Sequence, residues 1–120
     1  MTTILIVEDE KPLATAYQTI LNKEGYEALT AGNGEEALDA VNKKSPDLIL
    51  LDMKMPKMNG LEFLRRLEKE MPKKGVIVFS NQDTQADIDE AFRLGAKRYL
   101  LKSWASPQDL VKVVEEALEG

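Results

Sequence analysis

The 120-residue sequence contains neither cysteine nor histidine. Without cysteine there are no disulfides, thiol nucleophiles, iron–sulfur ligands or thiolate zinc sites. Without histidine the chain has no imidazole general base, imidazole metal ligand or phosphohistidine of its own. Long apolar runs are also missing: no segment approaches a membrane span, and the opening MTTILIVEDE is too short and lacks the basic flank of a signal peptide. Basic charge is the minority, with 16 Lys and Arg against 21 Asp and Glu and a formal net charge of -5. That balance disfavours a nucleic-acid groove or an anionic membrane surface as the main partner. No GxxxxGK[ST] loop occurs, and GNGEE at residues 32–36 lacks the register of a dinucleotide fingerprint. Reactive chemistry is left to carboxylates, hydroxyls, lysine and backbone groups. The expected location is cytoplasmic, with no membrane insertion.

The composition that is present, 43% hydrophobic and 31% charged, is that of an ordinary globular domain. The length predicts one domain over residues 1–120, large enough to fold without a metal or disulfide. Along the chain, short apolar runs alternate with amphipathic ones. Strands are expected at residues 3–8, 26–31, 47–52, 76–80 and 98–102, the third being the most hydrophobic and so a central one. Helices are expected between them. The first runs over 12–24, with Leu13, Tyr17, Ile20 and Leu21 inward. The second ends near Lys44, with Ala37, Leu38 and Val41 inward. The third ends near Glu70, with Leu61, Leu64 and Leu67 on one face. Thr84 and Asp87 have capping-box spacing before a fourth helix that carries Ile88, Ala91 and Phe92 and stops at Gly95. Ser106-Pro107 opens a fifth, with Leu110, Val113, Val114, Ala117 and Leu118 inward. Five strand–helix units, each interval long enough for a parallel crossover, predict an α/β protein with helices on both faces of a parallel sheet.

In such a sheet ligands bind where the strands exit. The exits carry Glu8 and Asp9, Asp52, Ser80 and Lys102. If the first and third strands are neighbours, three carboxylates crowd one pocket, and like charges so close disfavour one another's ionisation. A divalent cation relieves the conflict, and an oxygen-only ligand set suits magnesium. Each acidic residue alone is explained as a solvated strand end; five such residues at four strand exits are not. Cation, carboxylate, hydroxyl and ammonium together describe a phosphoryl site, with Asp52 as the candidate nucleophile through an aspartyl-phosphate.

Glu8-Asp9, Asp52 within DMKMPKMNG, Ser80, Tyr99 and Lys102-Ser103 fall in the order and at spacings that make the sequence resemble the receiver domain of two-component response regulators over essentially its whole length. The resemblance implies a flavodoxin-like, doubly wound fold with strand order 2-1-3-4-5. It further implies that Asp52 accepts a phosphoryl group from the phosphohistidine of a partner histidine kinase or phosphotransfer protein. Mg2+ would be held by Asp9 and Asp52, by Glu8 mainly through water, and by the backbone carbonyl of Lys54. Ser80 and Lys102 would contact the phosphoryl group, and Tyr99 would report the state to a face made by the fourth helix, fifth strand and fifth helix, through which a downstream protein is engaged. Pro56 and Gly60 would shape the loop after the acceptor. Hydrolysis of the aspartyl-phosphate would reset the switch, which makes the chain a phosphoryl acceptor rather than an enzyme for an external substrate.

The sequence departs from the family's commonest pattern at Glu8, Ser80, Asn81 and Ser103. Two other readings stand beside the switch: a phosphorylation-independent receiver-like adaptor, for which Asn81 and Ser103 speak, and a flavodoxin-like protein binding a small cofactor at the same edge. Single residues have plainer readings too. Tyr99 is expected as a strand aromatic on the last helix if it is not a switch. Trp104 is either a core cap or a partner anchor. Arg93, Lys97 and Arg98 form either a basic patch or a solvated face. Met53, Met55 and Met58 read as gap fillers, not metal ligands.

Overall fold

The computed structural model describes residues 1–53, 55, 58–70, 75–80, 84–102 and 106–119. Five strands, β1 (Thr3–Val7), β2 (Glu27–Ala31), β3 (Leu48–Leu51), β4 (Gly75–Ser80) and β5 (Ala96–Leu101), alternate with five helices. The helices are α1 (Lys11–Lys23), α2 (Gly34–Lys44), α3 (Gly60–Glu70), α4 (Gln85–Arg93) and α5 (Pro107–Glu119). The strands form one sheet in the order β2-β1-β3-β4-β5, and every pair is parallel. The expected α/β architecture and strand order are both present.

The continuous apolar runs of β1, β3 and β4 are buried throughout because each strand feeds two cores. Alternate side chains of a strand point to opposite faces. Leu5, Val7, Ile49, Leu51, Val76 and Val78 pack with Ala37, Val41, Phe63, Leu64, Leu67 and Ala91 of α2, α3 and α4. Ile4, Ile6, Leu48, Leu50, Ile77 and Phe79 pack with Ala14, Leu21, Leu110, Val114 and Ala117 of α1 and α5. The two layers clamp the three central strands, so the positions of their C-terminal ends are fixed by core packing.

Caps set the helix starts as the sequence predicts. The Thr84 hydroxyl accepts from the Asp87 N–H at 3.1 Å. The Ser106 hydroxyl accepts from the Asp109 N–H at 3.1 Å, and Asp109 Oδ2 accepts from the Ser106 N–H at 3.0 Å. The Ser106–Asp109 pair is a reciprocal box of the kind that satisfies orphan amides at a helix start, and Thr84 supplies the hydroxyl half of such a cap.

Of the apolar residues carried by α4, Phe92 is 45% exposed. Ala91 and the capping Leu94 take the inward positions of this short helix, and each residue turns the next by about 100° away from the sheet. In α3 the fully buried residue is Phe63, with Leu64 and Leu67, while Leu61 is only half-buried. β5 begins at Ala96 rather than Arg98. Its pairing with β4 shifts between Val76 and Ile77, so that Val76 faces Ala96 and Ile77 faces Arg98. This bulge turns the strand locally. Tyr99 consequently packs, half-buried, against the core under α2, α3 and α4, and not against the last helix. Among the described residues no helix is long and apolar enough to cross a membrane.

Candidate functional site

The site is built at the C-terminal edge of the sheet, where the backbone ladder continues one residue past β1, β3 and β5. The Glu8 N–H donates to the Ala31 carbonyl at 3.0 Å, the Asp52 N–H to the Val7 carbonyl at 3.0 Å, and the Lys102 N–H to the Ser80 carbonyl at 2.8 Å. Each polar residue therefore has its main chain tied to a neighbouring strand. Adjacent pairing of β1 with β3 brings the first and third exits side by side.

Carboxylate oxygens of Glu8, Asp9 and Asp52 all lie within 4.8 Å of one another. Glu8 and Asp52 are buried, at 4% and 6% exposure, while Asp9 is exposed at the mouth. Such a hard, all-oxygen donor set has the chemistry of a magnesium or calcium site.

Lys102 reaches into the same cluster. Its Nζ lies 2.5 Å from Glu8 Oε1 and 3.2 Å from Asp52 Oδ2, so one ammonium bridges two carboxylates. The second oxygen of Glu8, Oε2, accepts from the Glu10 N–H at 3.2 Å. Glu10 caps α1 without a side-chain hydrogen bond of its own. The Glu8 carboxylate thus holds the entry to α1 as well as Lys102. Sequence reasoning did not anticipate this contact, since a backbone amide carries no residue-type signal.

The electrostatics follow from burial. Desolvation pushes the Glu8 carboxyl up to about 7, against the lowering effect of the Lys102 hydrogen bond, and the Asp52 charge adds to the rise. Desolvation alone would pull Lys102 down, but hydrogen bonds and charge from Glu8 and Asp52 outweigh it and hold the ammonium above its ordinary value. Ser80, the last residue of β4, is 1% exposed at the same edge. The structure therefore joins Glu8, Asp9, Asp52 and Lys102 in one cluster and sets Ser80 on the adjoining strand end. Tyr99 sits one layer below, on the α4 side. Lys54, Pro56, Asn81, Ser103 (with the Lys102–Ser103 bond) and Trp104 lie outside the described residues.

One residue assigned to the core by the sequence also stands near the site. The ring of Tyr17 in α1 meets that of Phe79 edge-on, with centroids 5.1 Å apart and planes at 67°. Burial raises its phenol, and Glu8 and Asp52 raise it further. Its inward position on α1 was legible; the nearness of two carboxylates depended on tertiary packing. Of the basic cluster, Lys97 and Arg98 are exposed, whereas Arg93 is bound by Glu90 in its own helix. Met53 and Met58 are buried and Met55 is packed against the same core, as gap fillers should be.

Residues 4–115 match the family described as "Response regulator receiver domain". The chain is 36% identical over 120 residues to the nitrate/nitrite response regulator protein NarL of Escherichia coli, covering 98% of this chain and 55% of that protein. It thus spans about half the length of that relative. It is 39% identical over 110 residues to sporulation initiation phosphotransferase F of Bacillus subtilis, covering 92% of this chain and 86% of that one. Among solved structures, a CheY-like response regulator receiver domain protein from Methanospirillum hungatei superposes with a TM-score of 0.94 at 29% identity, covering 99% of this chain and 94% of the other.

Proposed function

The chain belongs to the response regulator receiver domain family, and on that premise we propose that it is a signalling switch phosphorylated on Asp52 by a partner histidine kinase or phosphotransfer protein. The observation that carries the reading is the convergence of Glu8, Asp9 and Asp52 oxygens within 4.8 Å, with the Lys102 ammonium between Glu8 and Asp52.

In the proposed transfer an Asp52 carboxylate oxygen attacks phosphorus as the phosphorus–nitrogen bond of the donor's phosphohistidine breaks. The P–O bond forms, and the leaving imidazole takes up a proton from solvent. Lys102 balances charge on the phosphoryl oxygens, and Ser80, at the neighbouring exit, supplies a hydroxyl donor. Asp9 and Asp52 would be the direct carboxylate ligands for Mg2+, and the Lys54 carbonyl would be a further oxygen ligand. Glu8, whose two oxygens already accept from Lys102 and Glu10, would act mainly through water. A bound cation would supply positive charge to offset that of the three carboxylates and of the phosphoryl oxygens. Attack of water on the aspartyl-phosphate returns the carboxylate and inorganic phosphate, which resets the switch.

Phosphorylation would draw Ser80 toward the new group. Tyr99, half-buried on the next strand, follows, and the surface of α4, β5 and α5 changes for a downstream protein. Trp104 belongs to this proposed partner face. The bias comes from differential binding: the phosphoryl group favours one of two conformers.

The direct test is transfer from a phosphohistidine-bearing kinase domain or phosphotransfer protein labelled with radioactive phosphate. Label should move to the wild-type chain and not to Asp52→Asn. A wild-type chain that stays unlabelled by every competent donor, while folded and with magnesium present, contradicts the reading.

A further inference from the structure

The two edges of the sheet are finished differently. β5 has a bulge in its pairing with β4, and its Lys97 and Arg98 are exposed. Bulges and basic side chains are common means of keeping a free strand edge from recruiting another strand. β2, at the opposite edge, has neither. It pairs with β1 without a register shift, and its sequence EALTA contains no lysine, arginine or proline.

The main-chain groups of successive strand residues point alternately to the two sides. Glu27 faces β1, since its N–H donates to the Thr2 carbonyl at 2.8 Å. Ala31 does the same, its carbonyl accepting from the Glu8 N–H at 3.0 Å. Ala28 and Thr30 therefore present their amides and carbonyls to the open side. At Ala28 both groups are taken by side chains of α1. The Ala28 N–H donates to Asn22 Oδ1 at 3.1 Å, and the Ala28 carbonyl accepts from Gln18 Nε2 at 2.9 Å. Gln18 and Asn22 stand one turn apart on α1, so both reach the strand from the same helix face. Asn22 is also held through its own carbonyl, which accepts from the Gly25 N–H at 3.1 Å in the turn that returns the chain to β2. Asn22 is exposed and Gln18 half-buried, so core filling does not account for the pair.

From this double contact we infer that Gln18 and Asn22 are an edge guard: by occupying both main-chain groups of Ala28, α1 takes the place of a further strand and keeps the sheet of one copy from joining that of a second copy through β2. The excluded contact is isologous, β2 against β2, antiparallel about a two-fold axis. The inference uses no residue of the carboxylate cluster and stands whether or not Asp52 accepts a phosphoryl group.

The test compares the wild-type chain with Gln18→Met/Asn22→Leu, which keeps side-chain bulk and removes the donor and the acceptor. Amide hydrogen exchange and sedimentation velocity are the readouts, with folding checked by circular dichroism. In dilute solution exchange of the Ala28 amide should rise about tenfold, near the upper end of what one ordinary hydrogen bond contributes. At higher concentration the variant should associate beyond the state of the wild type, and Ala28 exchange should slow again as it does. Adding Thr30→Pro removes the other outward amide, a change that an edge strand tolerates, and should return the variant to the wild-type state of association. A folded double variant that associates no more than the wild type, or whose association survives Thr30→Pro, overturns the inference. Should the double variant not fold, Gln18→Met alone carries the same comparison. Equal exchange rates for Ala28 and Thr30 in the wild-type chain also overturn the inference.

Discussion

Lys102 lies closer to Glu8 than to Asp52, at 2.5 Å against 3.2 Å. The lysine that the family resemblance assigns to the phosphoryl group is, before phosphorylation, chiefly the counter-ion of the acidic pair's first member. Its side chain is 10% exposed and that of Glu8 2%, so the pair is shielded from solvent and salt. Transfer of a phosphoryl group to Asp52 would offer the ammonium a stronger anion on one side, and Glu8 would have to share or release it.

Removing the ammonium should leave two buried carboxylates without compensation. Lys102→Met is therefore expected to lose about 3 kcal/mol of stability at pH 8 in chelator, the low end for breaking a buried pair. Urea unfolding measures it, and added magnesium should restore part of the loss. An unchanged urea midpoint would show that the bridge contributes nothing to the fold.

The Glu8 carboxyl gives the metal-free protein a pH dependence of definite sign. Its folded value, about 7, lies above the ordinary 4.5. The native state then binds more protons than the unfolded chain between these values, and stability falls as pH rises through that window. Glu8's contribution is complete below pH 4.5 and lost above pH 7. Urea midpoints in chelator should show this decline for the wild type relative to Glu8→Gln, which lacks the titrating group. Parallel curves for the two proteins would contradict the assignment. Magnesium affinity should weaken in the same window as pH falls, because the cation competes with the proton.

The two phenylalanines of the α3–α4 side separate burial from mere hydrophobicity. Phe63 is fully buried, and Phe63→Ala should cost about 3–5 kcal/mol. Phe92 is 45% exposed, and Phe92→Ser should shift stability by no more than about 0.5 kcal/mol. Thermal unfolding of both variants checks the pair. Comparable losses would mean that α4 is rotated from the orientation described.

The elements were legible because the local signals agree. Continuous β-branched runs mark β1, β3 and β4, and Thr84 and Ser106 mark helix starts in the structure as they do in the sequence. The acidic cluster was legible for the same reason: Glu8, Asp9 and Asp52 directly follow strands whose adjacency the fold class supplies. What escaped sequence reading depends on partners distant in the chain. The β4–β5 bulge, which sends Tyr99 to the α4 side, leaves no mark in residue type, since Lys97 and Arg98 read as ordinary exposed positions. The hold of Glu8 on the Glu10 amide is a main-chain contact. The approach of Met58 to Gly34, so close that a Cβ on the glycine would fall 2.6 Å from that of Met58, joins two turns that are far apart in sequence, and a glycine in GNGEE reads locally as turn material.

The central claim, that Asp52 and the neighbouring carboxylates form one magnesium-dependent phosphoryl acceptor, is tested most directly by intact-mass measurement after incubation with a small phosphoryl donor such as acetyl phosphate. The account predicts a gain of one phosphoryl group that requires magnesium, is abolished in Asp52→Asn and is strongly reduced in Asp9→Asn. No gain in a folded, magnesium-supplied wild-type chain, or an equal gain in Asp52→Asn, would contradict it.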